Sequence, residues 1–337
     1  MKMKTHPVVW FGLVFLGLAL AALGLAPAAS AQGLAKWKTG IVEVKADSAF
    51  EYIAVEKGYY RELGVDAELV PIRGGVNIVK ALLAGHVDAI EMGPGPSLVA
   101  IEKGAKIKVV GAALTGMPHV LYVRKEINSV RDLVGRVVIT SSVGALPYEL
   151  VTGLLDKHGI GLDKVRFLAG AEEADRVRSV IAGRADVAAS SIEFKPLIAQ
   201  HPDVKVLLSF AREFPNWVRM TVIASEKNIQ ERPEVVTKVL TAHAKGIRYA
   251  LAHRDETVAL MAKLARRQHA QEVDWLYDFF VENQLLEPNL YVSPEAVNFL
   301  QQLNVKTKRQ SRVLPLDQVA TWEFQKKAVA TLGEYRR

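Results

Sequence analysis

The chain has 337 residues, of which 50% are hydrophobic and 23% are charged, and it contains no cysteine. This composition excludes a disordered chain, a collagen-like repeat and a disulfide-stapled scaffold, and the length favours two lobes, because single cores rarely grow beyond about 250 to 300 residues. The net charge of +7 fits anionic partners, but the basic residues form no long run, which argues against a nucleic-acid-binding surface.

Residues 1–31 have the composition of a secretory signal peptide. A basic start with Lys2 and Lys4 precedes an apolar stretch over 8–26, and Ala29-Ser30-Ala31 matches a signal-peptidase site. We therefore predict a periplasmic protein that starts at Gln32 and, without cysteine, has no lipid anchor on an N-terminal cysteine. An uncleaved membrane anchor is the alternative, because the apolar stretch is long enough to span a bilayer.

Short aliphatic runs alternate with helix-period stretches from Thr39 onward, which is typical of α/β folds with mostly parallel strands. A first β-α-β-α-β run is predicted with strands at 41–44, 65–71 and 87–92 and helices at 50–63 and 76–83. A second run is predicted with strands at 137–140, 165–168 and 186–190 and helices at 147–158 and 172–181. The sequences LAGHVDA (83–89) and IAGRADV (181–187) fall at equivalent places in the two runs, which indicates two similar lobes.

Two further aliphatic strands, at 119–124 and 217–224, are predicted to cross between the lobes. Helices follow at 233–252, 257–265, 271–284, 294–302 and 316–332, and they pack most simply on the first lobe. This gives a discontinuous first lobe (32–118 and 222–337), a second lobe (119–221) and a two-strand hinge. A paired hinge is expected of a protein that closes around a ligand.

Ligands of open α/β sheets bind beyond the carboxyl ends of the strands, where helix N-termini present free N–H groups. The turns at these ends are rich in Gly, Ser and Ala, which lets a ligand approach the backbone. Each such residue also has a structural interpretation; Ser142, for example, is equally suited to capping a helix. The predicted ligand contacts are Ser48, Ala49, Phe50, Arg73, Gly74, Gly75, Gly93, Pro94, Met117, Ser141, Ser142, Gly144, Ala145, Tyr148, Glu193, Trp217 and Arg219.

Arg73 and Arg219 are the predicted partners of an anionic group, because a guanidinium offers paired donors to a carboxylate or sulfonate. Acidic residues near the same turns indicate that, if several face the cleft, the ligand also carries a donor or cationic group. These acids are Asp47, Glu51, Glu91, Glu172, Glu173 and Glu193. His119 is the one histidine worth testing as a ligand contact.

Motifs of catalysis are absent from the sequence. There is no G-x-S-x-G elbow, H-E-x-x-H helix, phosphate-binding P-loop or G-x-G-x-x-G fingerprint, the eight histidines lack metal spacing, and no cysteine exists for a thiolate nucleophile. We predict no catalytic residue, no metal and no cofactor.

Several segments resemble the substrate-binding proteins of ABC importers of the nitrate, taurine and aliphatic sulfonate type. They include AVEKGYY (54–60), ALLAGHVD (81–88), IEKG (101–104) and SVRDLVGRVV (129–138). The resemblance runs from about residue 38 to the C-terminus and is weakest beyond Ser225.

The resemblance implies a type II periplasmic-binding fold that captures a small, anionic organic solute between its lobes and docks as a monomer on a membrane permease. The turn at Lys45–Ala49 matches no single ligand subtype. Two other functions stay open: a sensor or partner subunit of the same fold that signals to a membrane receptor, and a small-molecule biosynthetic enzyme on this fold.

Overall fold

Ten strands of the described residues form two sheets of five strands each. A computed structural model describes Met1 and residues 33–336, so the predicted signal peptide lies, apart from Met1, outside the described residues. The strands are β1 (Ala35–Ile41), β2 (Val65–Pro71), β3 (Ala89–Met92), β4 (Ile107–Leu114), β5 (His119–Arg124), β6 (Val137–Ile139), β7 (Arg166–Leu168), β8 (Val187–Ser191), β9 (Val204–Ser209) and β10 (Met220–Ser225).

Helices cover both sheets. They are α1 (Ala49–Glu56), α2 (Tyr59–Glu62), α3 (Gly75–Leu83), α4 (Gly95–Glu102), α5 (Leu146–Lys157), α6 (Glu173–Ile181), α7 (Lys195–Ile198), α8 (Phe210–Glu213), α9 (Glu226–Glu231), α10 (Pro233–Ala252), α11 (Arg254–Leu264), α12 (Asp274–Glu282), α13 (Pro294–Lys306), α14 (Leu316–Val319) and α15 (Glu323–Leu332). Within residues 33–336, none of these helices combines the length and the apolar character needed to span a membrane. Helices α9 to α15 follow β10 without any further strand among the described residues.

Each sheet contains one strand that runs against the others. The first sheet has the order β2-β1-β3-β10-β4, with β10 antiparallel to both neighbours. The second has the order β7-β6-β8-β5-β9, with β5 antiparallel to both neighbours. The chain therefore passes between the sheets twice, before β5 and before β10, at the two strands predicted to cross.

The short sequence repeat has the same structure in both sheets. Gly85 and Gly183 end α3 and α6 with φ of +73° and +68°, a left-handed conformation that glycine adopts without strain. Asp88 Oδ2 then accepts a 2.8 Å hydrogen bond from Lys38 N of β1, and Asp186 Oδ2 accepts a 2.8 Å hydrogen bond from Val137 N of β6. The repeat therefore fixes the register between two parallel strands in each sheet.

The predicted elements differ from the structure in a few places. The helix predicted at 50–63 is two helices, because Gly58 between them has φ of +72°. The helix predicted at 316–332 is interrupted where Ala320 bridges to Val109 of β4. The first strand lies at 35–41 rather than 41–44, since it alternates exposed lysines with buried residues, and β10 begins at Met220 rather than at 217. Neither β4 nor β9 was predicted.

Candidate functional site

A cavity with about 620 Å³ of empty space, part of it open to solvent, lies between elements of the two sheets. Its walls follow the carboxyl ends of the parallel strands, where the topology predicts a ligand site. The lining residues are Val42, Glu43, Gly74, Gly75, Met92, Gly93, His119, Ser141, Ser142, Ala145, Leu146, Pro147, Gly170, Ala171, Glu172, Glu173, Arg176 and Arg219.

The N-termini of α3 and α5 approach each other at this cavity. Gly74 has φ of +87° and lies immediately before α3; a Cβ atom there would lie 3.6 Å from Ser142 Oγ, and one on Gly75 would lie 3.4 Å from Ala145 Cβ. Small residues on both sides therefore let the two helix ends meet. Their first N–H groups and the positive ends of the two helix dipoles favour an anionic or acceptor group between them.

Seven of the predicted contacts line the cavity, and two others lie directly beside it. The seven are Gly74, Gly75, Gly93, Ser141, Ser142, Ala145 and Arg219. Arg219 is only 8% exposed, and its Nε atom, like Ser141 Oγ, has no hydrogen-bond partner among the described residues. Ser48 lines an adjoining smaller cavity, and Glu193 is bonded to Lys45.

The other eight predicted contacts lie outside the cavity lining. Phe50 is fully buried in the core, with its ring stacked on Phe280 at 5.3 Å. Trp217 packs against Phe214 at 5.3 Å and is 1% exposed, and the Tyr148 ring lies 5.1 Å from that of Phe167. Ala49, Pro94 and Met117 are buried, Arg73 is exposed to solvent, and the carbonyl of Gly144 accepts a hydrogen bond from Arg309. Of the two arginines predicted to bind an anion, Arg219 therefore lines the cavity and Arg73 does not.

Lys45 joins the two sheets beside the cavity. It follows β1, and its Nζ atom lies 2.9 Å from Asp47 Oδ2, 3.2 Å from Glu173 Oε2 and 2.9 Å from Glu193 Oε2. Burial by itself lowers the pKa of Lys45, but these carboxylates raise it well above the ordinary value. Lys45 therefore stays charged and holds together loops that follow strands of both sheets.

Glu173 is the centre of the second-sheet wall. His119 Nε2 lies 3.2 Å and Arg176 Nη2 3.7 Å from its Oε1 atom. Although burial raises the pKa of Glu173, Lys45 and His119 lower it well below the ordinary value, so it is a carboxylate. Burial lowers the pKa of His119 to about 4, which leaves the imidazole neutral near pH 7.

A smaller cavity, which we call the side chamber, has about 310 Å³ of empty space and shares Val42, Glu43 and Arg219 with the main cavity. Its other lining residues are Lys45, Asp47, Ser48, Glu51, Leu114 and Met220. Burial, together with the charge of Glu173, raises the pKa of Glu43 to about 8. Burial also raises the pKa of Glu51, whose Oε2 atom has no hydrogen-bond partner among the described residues.

Another buried carboxyl, that of Glu91, lies in β3 and is 2% exposed. Its Oε1 atom is 3.6 Å from Nε2 of His243 of α10, which is also buried. Burial raises the pKa of Glu91 to about 8 and lowers the pKa of His243 to about 4, so a neutral acid faces a neutral imidazole near pH 7.

A second link between the two halves of the molecule lies at Arg309, just after α13. Its guanidinium donates to the Glu149 carboxylate of α5 and, at 2.8 Å, to the Gly144 carbonyl. The neighbouring Ser311 N donates to Glu102 Oε1 of α4 at 2.7 Å, and Asn304 Nδ2 to the Gly95 carbonyl at 3.3 Å. This segment thus connects α4, which follows β3, with α5, which follows β6.

Comparison with known proteins decides the family. Residues 45–257 match the family described as NMT1/THI5 like. The chain belongs to the NMT1/THI5-like family.

The NMT1/THI5-like chain is 22% identical over 219 residues to the formylaminopyrimidine-binding protein of Halalkalibacterium halodurans, an alignment that covers 63% of this chain and 65% of that protein. The chain thus spans a little under two thirds of the length of this curated relative.

Solved structures agree on the fold. The alkanesulfonate-binding protein SsuA from Xanthomonas axonopodis pv. citri, bound to MOPS, superposes with a TM-score of 0.70 at 17% identity, covering 86% of this chain and 100% of that chain. The periplasmic nitrate-binding protein NrtA from Synechocystis PCC 6803 superposes with a TM-score of 0.68 at 11% identity, covering 89% of each chain. The predicted two-lobed α/β fold and the family resemblance are confirmed.

Sequence reasoning left Glu43, Lys45 and Arg176 out of the predicted contacts of this NMT1/THI5-like chain. Glu43 and Lys45 directly follow β1, so the rule that placed ligands at strand ends could have found them. Arg176 lies one helical turn after Glu173 and donates to the Ala189 carbonyl at 2.9 Å. The one sequence feature that indicates Arg176 is its position three residues after Glu173, a spacing at which two oppositely charged side chains on a helix can pair.

Proposed function

We propose that this protein is a periplasmic solute-binding protein that captures a small organic solute between its two sheets and delivers it to the permease of an ABC importer. The observation that carries the proposal is a cavity whose walls come from both sheets and meet at two helix N-termini. The names of the relatives support it, since they bind a formylaminopyrimidine, alkanesulfonates and nitrate.

An anionic or acceptor group of the solute binds between the N-termini of α3 and α5, with Ser141 Oγ and the Arg219 guanidinium as further donors. These donors come from the walls that follow the first sheet and from those that follow the second. A solute bound to all of them therefore stabilises only the closed form, in which the two walls are close together. Ligand binding shifts the population towards that closed form, which the permease recognises. The predicted signal peptide supports export, and we propose that the exported protein acts as a monomer.

A thermal-shift screen of the chain from Gln32 onward tests this function. The panel comprises sulfonates, taurine, nitrate, aliphatic and aromatic carboxylates, and pyrimidines. A ligand at about 100 times its Kd adds about 2.7 kcal/mol of stability, which raises the Tm by several degrees. A hit should also reduce the radius of gyration in small-angle scattering. No stabilisation by any compound, with no ligand retained in native mass spectrometry, would overturn the proposal.

A further inference from the structure

Carboxyl groups outnumber cations around the main cavity and the side chamber. The described lining residues include the acids Glu43, Asp47, Glu51, Glu172 and Glu173 and the cations Lys45, Arg176 and Arg219. Burial raises the pKa of Glu43 and Glu51, which favours their protonated form in the solute-free protein, and a cationic or strongly donating group beside them would favour the carboxylate form.

The cations of the described lining leave some of these carboxyl groups without an ion pair. Lys45 is within 3.2 Å of three carboxylates, Asp47, Glu173 and Glu193, and Arg176 is held between Glu173 and backbone carbonyls. Among the described residues, neither Glu43 nor Glu51 forms an ion pair within 4.0 Å. Glu51 is only 5% exposed, and its Oε2 atom lacks a hydrogen-bond partner there.

The side chamber adjoins the main cavity. Val42, Glu43 and Arg219 line both spaces, and the chamber is narrow, so it suits a single terminal nitrogen of a solute held at the helix N-termini rather than a larger group. A buried acceptor without a donor is costly, and a ligand N–H group is the simplest donor that removes this cost.

We propose that the solute carries a cationic or strongly donating nitrogen, in an ammonium, an amidinium or an amino-substituted heterocycle, and that Glu43 and Glu51 bind this nitrogen in the side chamber. The inference rests on the proposed function and names the class of solute more narrowly. Such a solute has an acceptor group that binds at the N-termini of α3 and α5 and a nitrogen donor that binds in the side chamber. Simple sulfonates, nitrate and plain carboxylates satisfy only half of such a site.

Matched pairs of probes test the inference in the chain from Gln32 onward. The pairs are taurine with isethionate, 4-aminopyrimidine with pyrimidine, and 3-aminobenzoate with benzoate, each titrated by calorimetry and thermal shift. The amino member of at least one pair should bind about tenfold or more tightly than its partner, a difference of about 1.4 kcal/mol in binding free energy.

Substitutions test whether Glu43 and Glu51 cause the preference for the amino compound. Glu51→Gln and, separately, Glu43→Gln should bring the two members of the pair to within about threefold of each other, while both variants keep the far-ultraviolet circular dichroism of the wild type. Two variants are used so that a folding defect in one leaves the other informative. Glu56→Gln is the matched control, because Glu56 lies on the same helix α1 but is exposed and paired with Lys263 at 2.9 Å; it should keep the preference.

The outcomes separate this inference from the function on which it rests. A ligand from the wider panel that has no nitrogen donor, equal binding within every pair, or a preference that survives both Glu→Gln substitutions would overturn the inference and leave the solute-binding function standing. Stabilisation by no compound of either panel would overturn both.

Discussion

Lys45 and Glu193 are 148 positions apart in the chain, yet Lys45 Nζ lies 2.9 Å from Glu193 Oε2, with both side chains about one-tenth exposed. Lys45 follows β1 of the first sheet, and Glu193 follows β8 of the second. A buried ion pair therefore connects the two halves of the cleft before any solute is considered, and it defines the geometry that a solute must match.

Lys45→Met should weaken the binding of any solute that the screen identifies by at least about tenfold. Removing one partner of a buried ion pair costs about 3 to 5 kcal/mol, and this cost falls on the arrangement in which the two sheets are joined. Calorimetric titration measures the loss. Lys38→Met is the control, since Lys38 lies on β1, is exposed and pairs with Glu68 at the surface; equal losses in both variants would contradict the role of Lys45.

Arg219→Gln should weaken solute binding by about tenfold or more, whereas Arg73→Ala should change it by less than about twofold. The Arg219 guanidinium lines the cavity with a free Nε donor, while Arg73 is exposed outside it. A hydrogen bond to a charged group contributes about 1.5 to 3 kcal/mol, which is the basis for the expected factor. Titration of both variants with the same solute measures the two effects. A larger loss of affinity in Arg73→Ala would show that the anion binds at the glycine loop and not at Arg219.

The solute-free protein should lose stability as the pH rises from about 6.5 to about 8.5. The pKa of Glu91 is raised from 4.5 to about 8 in the folded state, so between these values the folded state binds more protons than the unfolded state, and the free energy of unfolding falls with rising pH. Glu43 acts in the same direction. His243, with its pKa lowered to about 4, has the opposite effect, but only below pH 6.5.

Glu91→Gln tests this pH dependence. The variant should show a shallower fall in Tm over the same range and should be more stable than the wild type at pH 8.5, because an amide carries no ionisation cost. Differential scanning calorimetry at four pH values measures it. Glu68→Gln, at the exposed partner of Lys38, serves as the control, and a slope unchanged by Glu91→Gln would show that this carboxyl is not the source.

Arg309→Gln should loosen the second link between the halves of the molecule. The variant loses the ion pair to Glu149 and the 2.8 Å bond to the Gly144 carbonyl, so we expect a larger radius of gyration without solute and at least about threefold weaker solute binding. Small-angle scattering and titration are the measurements. Arg312→Gln, in the same segment but with an exposed side chain, should match the wild type in both.

Gly246→Ala should destabilise the protein even though alanine is the better helix former. A Cβ atom at Gly246 of α10 would lie 2.8 Å from Ala54 Cβ and 3.0 Å from Ala54 N of α1. Overpacking of this kind costs about 1 to 3 kcal/mol, against about 1 kcal/mol gained in helix propensity. Urea denaturation measures the balance, and a net gain in stability would show that the two helices can separate at no cost.

The order of helices and strands was predictable from the sequence because glycines mark the ends of several helices. Gly64, Gly85 and Gly183 all end helices with positive φ, and the strand β2 lies where the sequence predicts it. What could not be read was where a side chain points. Phe50 lies at the start of α1 and Trp217 lies just before β10, but both side chains are buried in the cores, and the sequence around an aromatic residue does not show which face it will occupy.

The polar part of the site was half predictable. Several glycines and serines that the sequence predicts as ligand contacts at strand ends line the cavity, where small residues let a ligand approach the backbone. The pairing of Lys45 with Glu173 and Glu193 depends on contacts between segments more than a hundred residues apart. No local sequence pattern shows which acidic residues will pair with Lys45. The ion pairs of the cleft are therefore visible only in the folded structure.

The position of β10 in the first sheet determines the order in which the two sheets can be completed. Val222 of β10 pairs with Glu91 of β3 on one side and with Gly111 of β4 on the other, so these two earlier strands are joined only through a strand that comes much later. The second sheet, by contrast, is built from one continuous stretch, 119–209. A chain that is synthesised from its N-terminus can therefore complete its second sheet while the first sheet still lacks β10, the strand between β3 and β4.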